Sequence, residues 1–326
     1  MRVLGIGNAL VDILIQLEND TVLNYLDYPK GSMQLIDLSK IADVTELIKN
    51  IPVIMASGGS AANTIHGLAR LGISCGFIGK VGKDELGDFY INDLKEAGVK
   101  AYLEQSKTVT GRSYALITPD SERTFATYLG AAVELNAEDL KKSVFSNYEM
   151  LHIEGYLVQN PLLIEMAMQI AKKEGLLISL DLASFNVVES NLTFLKKIVP
   201  EYVDIVFANE EEARAYTGKT PSDALKELAA QVKIAIVKTG KKGSMIRSGS
   251  VETTIQIKPV IAVDTTGAGD QYAAGFLYGY LNHLDFHKCG EIGSTLAASV
   301  ISTYGARIPE KSWPEIIQKI DRIHQY

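Results

Sequence analysis

A run of small residues ahead of a predicted helix has the types and spacing to bind an anion beside a carboxylate. It reads Asp264-Thr265-Thr266-Gly267-Ala268-Gly269-Asp270, and the next residues, Gln271 to Tyr280, are predicted to be helical. The start of a helix presents free N–H groups and the positive end of its dipole, so it binds anions through the main chain. Asp270 suits such a site if the anion is a phosphoryl group and the carboxylate accepts the proton of an attacking hydroxyl. The alternative, a first-turn aspartate that only stabilises the helix, is disfavoured by the flanking glycines.

A second glycine pair, Gly58-Gly59, precedes another predicted helix. Paired glycines let the backbone approach a ligand closely. Asn63, near the start of that helix, can donate to and accept from a sugar hydroxyl. A tight turn is the alternative interpretation of the glycines. Asp12 could accept two hydrogen bonds from a vicinal diol, or it could be a solvated turn residue.

Other motifs match poorly. Gly5-Ile6-Gly7 is half of a dinucleotide fingerprint, but a strand rather than a helix is predicted after it, and a nicotinamide-linked oxidoreductase rests on nothing else. Gly218-Lys219-Thr220 lacks the leading glycine of a Walker A loop. One carboxylate of Glu210-Glu211-Glu212, an acidic helix start after a buried strand, could order magnesium and its waters, or the run could simply be solvated.

Composition is that of an ordinary globular protein. The 326 residues are 47% hydrophobic and 22% charged, and the formal net charge of −7 argues against a nucleic-acid partner. Two cysteines in apolar or small surroundings indicate buried thiols in a reducing compartment. No apolar stretch reaches the ~18 residues of a membrane span, and the first residues lack the layout of a signal peptide. We therefore expect a cytoplasmic protein with neither a membrane nor a nucleic-acid partner.

The elements that position the candidate residues alternate between strand and helix. Asp84 to Ala97 reads as a helix ended by Gly98, and Asn160-Pro161 begins another with a capping residue and a first-turn proline. Continuous apolar strands between helices predict an α/β fold, with a mainly parallel sheet and helices on both faces in a Rossmann-like three-layer arrangement. The predicted buried strands span 74–81, 150–154, 176–181, 204–207 and 234–238.

Two stretches, 12–38 and 101–130, interrupt that alternation. The second contains strands 113–118 and 123–128 and reads as a β-hairpin, and residues 11–17 also look like a strand. We predict that the two stretches form a small discontinuous β lid on a core of residues 1–11, 39–100 and 131–326. Such a lid could close over a substrate. The alternative is an edge extension of the central sheet.

Together these motifs resemble those of the ribokinase-like carbohydrate and purine kinases, often called the PfkB family. Gly58-Gly59 with Asn63 is similar to the N-terminal signature of that family, and Asp264 to Asp270 is similar to its more specific C-terminal signature. Segments 7–12, 32–37, 127–131 and 204–209 are most similar to bacterial adenosine kinases. The resemblance implies a ribokinase-like fold with a β lid. It also implies an ATP-dependent kinase acting on the 5′-hydroxyl of a ribonucleoside, with adenosine giving AMP.

The resemblance further implies a role for each matching residue. Asp270 would be the general base. The anion hole would consist of the N–H groups of Gly267, Ala268 and Gly269. Arg123, in the lid hairpin, would reach toward the transferred phosphate. The acceptor would be bound by Asn8, Asp12, Met33, Gly58, Gly59 and Asn63.

The same resemblance places the cofactors. ATP would lie along Asn209, Glu212, Thr239, Gly240, Gly267 and Gly269. Glu212 would hold Mg²⁺ through water. Some members bind a monovalent cation such as K⁺ at the positions of Asp264, Thr266 and Gly305.

The acceptor stays open, because sugar-specific members share the phosphate machinery and differ in the lid. The candidates are adenosine, inosine or guanosine on one side and a sugar, as in a ribokinase or fructokinase, on the other. Met33, Tyr114 and Phe125 are lid residues that could contact the base. A nucleoside-binding protein without turnover is a further alternative, which Asp270 disfavours. The resemblance leaves monomer and homodimer open.

Overall fold

The protein is built on two β-sheets of unequal size. The computed structural model describes residues 1–120, 122–257 and 260–325. In chain order its strands are β1 (Arg2–Ile6), β2 (Leu10–Gln16), β3 (Met33–Leu35), β4 (Val53–Gly58), β5 (Ser74–Gly82), β6 (Val99–Ser106), β7 (Gly111–Ile117), β8 (Arg123–Tyr128), β9 (Met150–Glu154), β10 (Leu177–Asp181), β11 (Ile205–Asn209), β12 (Ile234–Lys238), β13 (Ser244–Ser248) and β14 (Val251–Ile255).

The central sheet has the order β14-β13-β12-β11-β10-β9-β1-β5-β6. All neighbours from β12 through β6 are parallel, whereas β13 and β14 add an antiparallel hairpin at one edge. The mainly parallel sheet is as predicted. Because the strands are parallel, their carboxyl ends lie along the same edge of the sheet, where ligands of α/β proteins bind.

Helices cover both faces of this sheet, which confirms the predicted three layers. Val3 belongs to a buried cluster with residues of α3, α11 and α12, whereas the next residue, Leu4, belongs to one with residues of α6, α8 and α10. The helices are α1 (Thr21–Leu26), α2 (Leu38–Ile48), α3 (Ser60–Arg70), α4 (Glu85–Glu96), α5 (Lys142–Phe145), α6 (Pro161–Lys173), α7 (Phe185–Ser190), α8 (Leu192–Tyr202), α9 (Glu210–Thr217), α10 (Pro221–Ala229), α11 (Ala268–Leu281), α12 (Phe286–Ile301) and α13 (Trp313–Gln325).

Helix boundaries follow the signals in the sequence. α6 begins after Asn160, whose side chain accepts a hydrogen bond from the N–H of Leu163 at 3.3 Å. α4 begins after Asp84, which accepts from the N–H of Gly87 at 2.8 Å. Gly98 follows α4 with a φ of +77°. Capping residues therefore set these helix ends as the residue types predict.

The second sheet has five strands in the order β3-β8-β7-β2-β4. It is hydrogen-bonded separately from the central sheet and does not extend an edge of it. Val11 and Ile13 of β2 are buried in the same cluster as Leu23 of α1 and Val44 of α2. We call this five-stranded unit the small sheet.

Membership of the small sheet departs from the predicted lid boundaries at three places. Leu10 and Val11, predicted to belong to the core, are part of β2. β6 pairs in parallel with β5, Cys75 opposite Val99, so residues 101–106 belong to the central sheet. It is the second strand of a strand–helix–strand unit through α4, a connection that returns the chain to the same sheet. β4, which was assigned to the core, pairs antiparallel with β2, Leu10 opposite Gly58.

Two further observations concern the cysteines and the possibility of a membrane span. Cys75 and Cys289 are buried and unbridged. Within the described ranges, no helix is long and apolar enough to cross a membrane.

Candidate active site

A cleft of about 2250 Å³ is lined by residues of both sheets. Its walls include Asp12, Met33 and Phe125 of the small sheet and the carboxyl ends of β9 to β12. Pockets for a single small ligand usually measure about 300–1,000 Å³. The cleft therefore has room for two ligands side by side.

Polar residues end four neighbouring strands of the central sheet at this cleft. They are Glu154 of β9, Asp181 of β10, Asn209 of β11 and Lys238 of β12. Of these, only Asn209 has a role predicted from the sequence. A charged residue directly after a buried apolar run was the signal for the other three, because such runs predict parallel strands whose ends meet.

The helix α11 begins at the cleft with Gly267 as its N-cap, at a φ of +74°. A Cβ on Gly267 would lie 2.6 Å from both Cα and O of Ala306, so the position has no space for a side chain. The N–H of Ala268 donates to the carbonyl of Thr265 at 3.3 Å. Those of Gly267 and Gly269 have no hydrogen-bond acceptor in the described part of the chain. Of the three amides predicted to form the anion hole, those of Gly267 and Gly269 are therefore free within the described residues.

Asp270 lies in the first turn of α11 with its carboxylate held from the side of α3. Ser60 Oγ donates to Oδ1 at 2.7 Å and Asn63 Nδ2 donates to Oδ2 at 2.9 Å. Burial raises the pKa of Asp270 to about 6, against the lowering effect of these two hydrogen bonds. The group is therefore ionised at neutral pH and much more basic than an exposed aspartate, as a proton acceptor needs to be.

Asp12 lies on β2 opposite this helix. A Cβ on Gly58 would lie 2.3 Å from Cγ of Asp12, so Gly58 leaves the space that the carboxylate occupies. Burial raises the pKa of Asp12 to about 7, although Arg307 lowers it. Nearby, Oδ1 of Asn63 is buried without a partner in the described residues. Both side chains line the cleft and have acceptor atoms for hydroxyl groups.

Glu154 joins the segment after β1 to the start of α3. Its Oε1 accepts from Nδ2 of Asn8 at 2.6 Å, and its Oε2 accepts from the N–H of Ala61 at 3.1 Å. Burial raises the pKa of Glu154 to about 7 despite these hydrogen bonds. Asn8 is thereby held at the cleft, while Gly59, with a φ of +98°, begins the turn into α3.

Asn209 and Glu212 form a reciprocal cap on α9. Oδ1 of Asn209 accepts from the N–H of Glu212 at 2.8 Å, and Glu212 Oε2 accepts from the N–H of Asn209 at 2.7 Å. Burial, and then Asp181, raise the pKa of Glu212. The described residues hold no group of three or more acidic, histidine or cysteine side chains suited to a metal ion. Glu212 lines the cleft, so it is placed where it could meet, through water, a magnesium ion carried by nucleotide phosphates.

Asp264, Thr266 and Gly305, which were predicted to bind a monovalent cation, come together around the Asp264 carboxylate. The carboxylate of Asp264 accepts from the N–H groups of Thr266 at 2.6 Å and Gly305 at 2.7 Å. It also forms an ion pair with Arg123. The guanidinium of Arg123 donates to Thr266 Oγ1 at 2.8 Å. One arginine and two backbone N–H donors thus satisfy the Asp264 carboxylate.

Most residues that were assigned a catalytic, binding or metal role line the cleft, whereas five do not, and neither does one of the three lid residues offered as base contacts. Tyr114 is buried and its hydroxyl lies 3.1 Å from Thr45 Oγ1, so Met33 and Phe125 remain to contact a base. Thr239 does not line it because its hydroxyl donates to the carbonyl of Gly243 at 3.0 Å. The predicted residues at the cleft are Asn8, Asp12, Met33, Gly59, Asn63, Asn209, Glu212, Gly240, Thr266, Gly267, Ala268, Gly269 and Asp270. Those behind it are Gly58, Arg123, Thr239, Asp264 and Gly305.

Comparison with known proteins gives one family and two kinds of relative. The profile of the pfkB family carbohydrate kinases matches residues 31–313. The structure of an adenosine kinase from Sinorhizobium meliloti superposes with a TM-score of 0.86 at 35% identity, covering 97% of this chain and 98% of that one. A 5-dehydro-2-deoxygluconokinase from Clostridium perfringens is 32% identical over 267 residues, 76% of this chain and 78% of its own. The adenosine kinase of Saccharomyces cerevisiae is 28% identical over 331 residues, 94% of this chain and 96% of its own.

Proposed function

Because this chain belongs to the pfkB family of carbohydrate kinases and is an ATP-dependent phosphotransferase acting on a sugar or a nucleoside, we propose that it phosphorylates the 5′-hydroxyl of adenosine to give AMP. The observation that carries the proposal is the position of Asp270. Its carboxylate and the free amides of Gly267 and Gly269 belong to one turn of α11 and line one cleft.

The geometry supports a direct transfer. The acceptor oxygen attacks the γ-phosphorus of ATP, its proton passes to Asp270, and the bond to the bridging oxygen breaks, so that ADP leaves with the electron pair. The amides of Gly267 and Gly269 would stabilise the charge on the phosphoryl oxygens. Magnesium, when bound with ATP, would screen the phosphate charges beside Glu212. Ser60 and Asn63 orient the carboxylate for its task.

The small-sheet wall favours a nucleoside over an acidic sugar. Met33 of β3 stands in register with Phe125 of β8, and both face the cleft. Met33 and Leu35 are 57% and 66% exposed, which is an apolar surface that a purine ring would cover. Asp12 on the same wall suits a ribose diol and would repel a carboxylate. The cations that line the described cleft are on other elements: Lys238, Lys241, Lys319 and Arg322.

A sugar kinase is the second candidate. Several curated relatives are 5-dehydro-2-deoxygluconokinases, at 28% to 32% identity. Inosine and guanosine are subtler alternatives, because Met33, Leu35 and Phe125 of the small-sheet wall are apolar and would not distinguish one purine from another by hydrogen bonds.

An acceptor panel with ATP separates these functions. We expect phosphorus NMR to show AMP formed from adenosine, with weaker or no product from ribose, fructose or 5-dehydro-2-deoxygluconate. 5′-Deoxyadenosine, which lacks the attacking hydroxyl, should bind without turnover. Product from a sugar or sugar acid, with none from adenosine, would replace the proposal with the second candidate. Adenosine binding without any phosphorylated product from the panel would indicate a nucleoside-binding protein.

The role of Asp270 has a matched control in α4. Asp270→Asn keeps the shape of the side chain but removes the proton acceptor, so we expect turnover to fall about 10²–10⁴-fold. Asp88 is an exposed first-turn aspartate of α4, and Asp88→Asn should leave turnover unchanged. Equal turnover of the two variants, measured by coupled ADP release, would contradict a catalytic role for Asp270.

A further inference from the structure

We propose that Lys238, oriented by Asp181, is a catalytic residue that binds the phosphoryl group during transfer; this inference rests on the proposed kinase reaction. Lys238 is the last residue of β12 and Asp181 the last of β10. Both line the cleft. Their place is set by the order of the central sheet, in which β11 separates the two strands.

Lys238 lies directly against the start of α11. A Cβ on Gly269 would be only 3.0 Å from Nζ of Lys238, so the ammonium group adjoins the free amide of that glycine. The side chain is 15% exposed. An anion bound at the N-terminus of α11 therefore comes within reach of the ammonium group and the amides together.

Asp181 aims the lysine at this position. Its Oδ2 accepts from Nζ of Lys238 at 2.8 Å, and its Oδ1 accepts from the N–H of Ala183 at 2.9 Å. Ala183 has a φ of +65°, a strained conformation for a residue other than glycine. Strained backbone of this kind tends to collect at functional sites. An ammonium group has three N–H donors, and in the described residues Asp181 takes one of them.

The charges around Lys238 fit a phosphate ligand better than a purely structural pair. Burial opposes the charged form, but Asp181 and then Glu212 outweigh it and raise the pKa of Lys238 above its ordinary value. Asp270 contributes in the same direction. Three carboxylates around one ammonium group would repel a phosphate, so Lys238 is the group that offsets them. A buried pair by itself adds little stability, which leaves binding an anion as the function of this one.

In the transfer step Lys238 keeps its proton. As the acceptor oxygen bonds to the γ-phosphorus and the bond to the bridging oxygen breaks, Nζ donates a hydrogen bond to a non-bridging phosphoryl oxygen. The acceptor proton goes to Asp270 and the electron pair leaves with ADP. Because negative charge moves during this step, the interaction is stronger in the transition state than before it.

Substitution of Lys238 tests the inference. We expect Lys238→Met to lower kcat about 10²–10³-fold, with a smaller effect on the KM for ATP, since loss of one transition-state donor has that size. Lys238→Arg keeps the charge and should recover part of kcat. Asp181→Asn should lower kcat less than Lys238→Met does, because the ammonium group remains but is no longer held in position.

The matched control lies at the other end of β12. Lys233 precedes the strand and pairs with Asp204 at 2.9 Å, but it is 66% exposed and distant in the fold from the carboxyl ends. Lys233→Met should keep wild-type kcat. Melting curves of all variants detect a protein that fails to fold, and Lys238→Arg then carries the test. Wild-type activity in Lys238→Met would overturn the inference and leave the proposed function standing. A wild-type protein without kinase activity on any acceptor would overturn the proposed function itself.

A pH profile adds a readout that a structural role would not move. Charged groups face Asp270 from four strands: Asp12, Glu154, Asp181 and Lys238. Lys238 lowers the pKa of Asp270, so its replacement by Met should move the acidic limb of kcat/KM to higher pH. Lys238→Arg should leave that limb in place. An unchanged limb in Lys238→Met would count against the contact.

Discussion

Opposing influences act on the carboxylate of Asp270. Burial and the charge of Asp181 favour the neutral acid, while Ser60, Asn63 and Lys238 favour the carboxylate. The balance puts its pKa at about 6. A base with this pKa is unprotonated at neutral pH and still accepts a proton from an alcohol whose oxygen is bonding to phosphorus. Burial raises the pKa of Asp12 while Arg307 lowers it, and the resulting pKa is about 7.

These two values predict an acid-sensitive activity. A carboxyl group with a raised pKa is charged above that pKa and neutral below it. We expect kcat/KM to fall as pH drops through 7, where Asp12 gains a proton, and to fall more steeply below 6, where Asp270 does. Steady-state rates from about pH 5 to about pH 8 measure this. Asp12→Asn should retain only the lower limb. A flat profile over that range would contradict both assignments.

At the scale of the residue, the functional groups that lie in contiguous motifs could be identified from the sequence. Asp270 and Gly267 belong to one run of seven residues, so their proximity needed no knowledge of the fold. Glu154, Asp181 and Lys238 are far apart in the chain, and only the strand order brings them to one edge. Thr239 is the opposite case. It lies in a contiguous motif and is predicted to lie along ATP, but the motif does not reveal that its hydroxyl donates to the carbonyl of Gly243.

At the scale of the element, the start of α11 is the most constrained segment of the site. The N-cap Gly267 combines a left-handed φ of +74° with contact to the backbone of Ala306. The chain around Ala306 is in turn tied to the helix by Gln271, whose Nε2 donates to the Ala306 carbonyl at 3.4 Å. Packing therefore holds the amides of this turn in place before any ligand arrives, which is the arrangement that electrostatic catalysis requires.

Alanine at position 267 should disrupt this turn. Gly72 is the matched control, since its φ is +87° but a Cβ there would meet no atom within 4 Å. We expect Gly72→Ala to cost about 1–2 kcal/mol of unfolding free energy from the left-handed conformation alone and to leave kcat unchanged. Gly267→Ala should cost more and should lower kcat at least about tenfold through the displaced amides. Urea unfolding and initial rates measure the two effects. Equal losses of stability would show that Ala306 does not constrain the turn.

Strands and helices of the central layer were predictable because their apolar runs and caps are local. The small sheet was predicted less well. β4 has an exposed amino half, with Ile54 67% exposed, so it lacks the buried pattern of the other strands. Its partner β2 lies 40 residues or so earlier, a pairing that only tertiary contacts establish.

At the scale of the whole molecule, an ion pair connects the small sheet to the segment that precedes α11. Arg123 begins β8 of the small sheet, and Asp264 lies in the segment before α11. Asp264 is only 1% exposed. Arg123 also donates to the carbonyl of Val263 at 3.2 Å. The pair therefore joins the small sheet, which carries Met33 and Phe125, to the segment that leads into the start of α11. We propose that the small sheet acts as a lid that excludes water from the reaction.

Removal of this arginine should destabilise the protein. Arg123→Met leaves the buried Asp264 carboxylate without its cation, which costs about 3 kcal/mol. Arg247 pairs with Glu252 near the surface, with both partners about a third exposed, and Arg247→Met should cost less than about 1 kcal/mol. Urea unfolding compares the two. If the lid closes as proposed, Arg123→Met should also raise ATP hydrolysis in the absence of acceptor. Equal unfolding costs for the two variants would argue that the pair is not a structural link.

The division of the cleft between two sheets bears on how such enzymes diverge. The residues that we propose contact the acceptor, such as Met33 and Phe125, are on a layer that contributes neither Asp270 nor the amides of α11. Substitutions on that layer can change which alcohol is phosphorylated, while the groups that carry out phosphoryl transfer are inherited unchanged. Descendants of a common ancestor can in this way acquire different substrates. Exchanging β3 and β8 between them is the direct route to a new substrate preference.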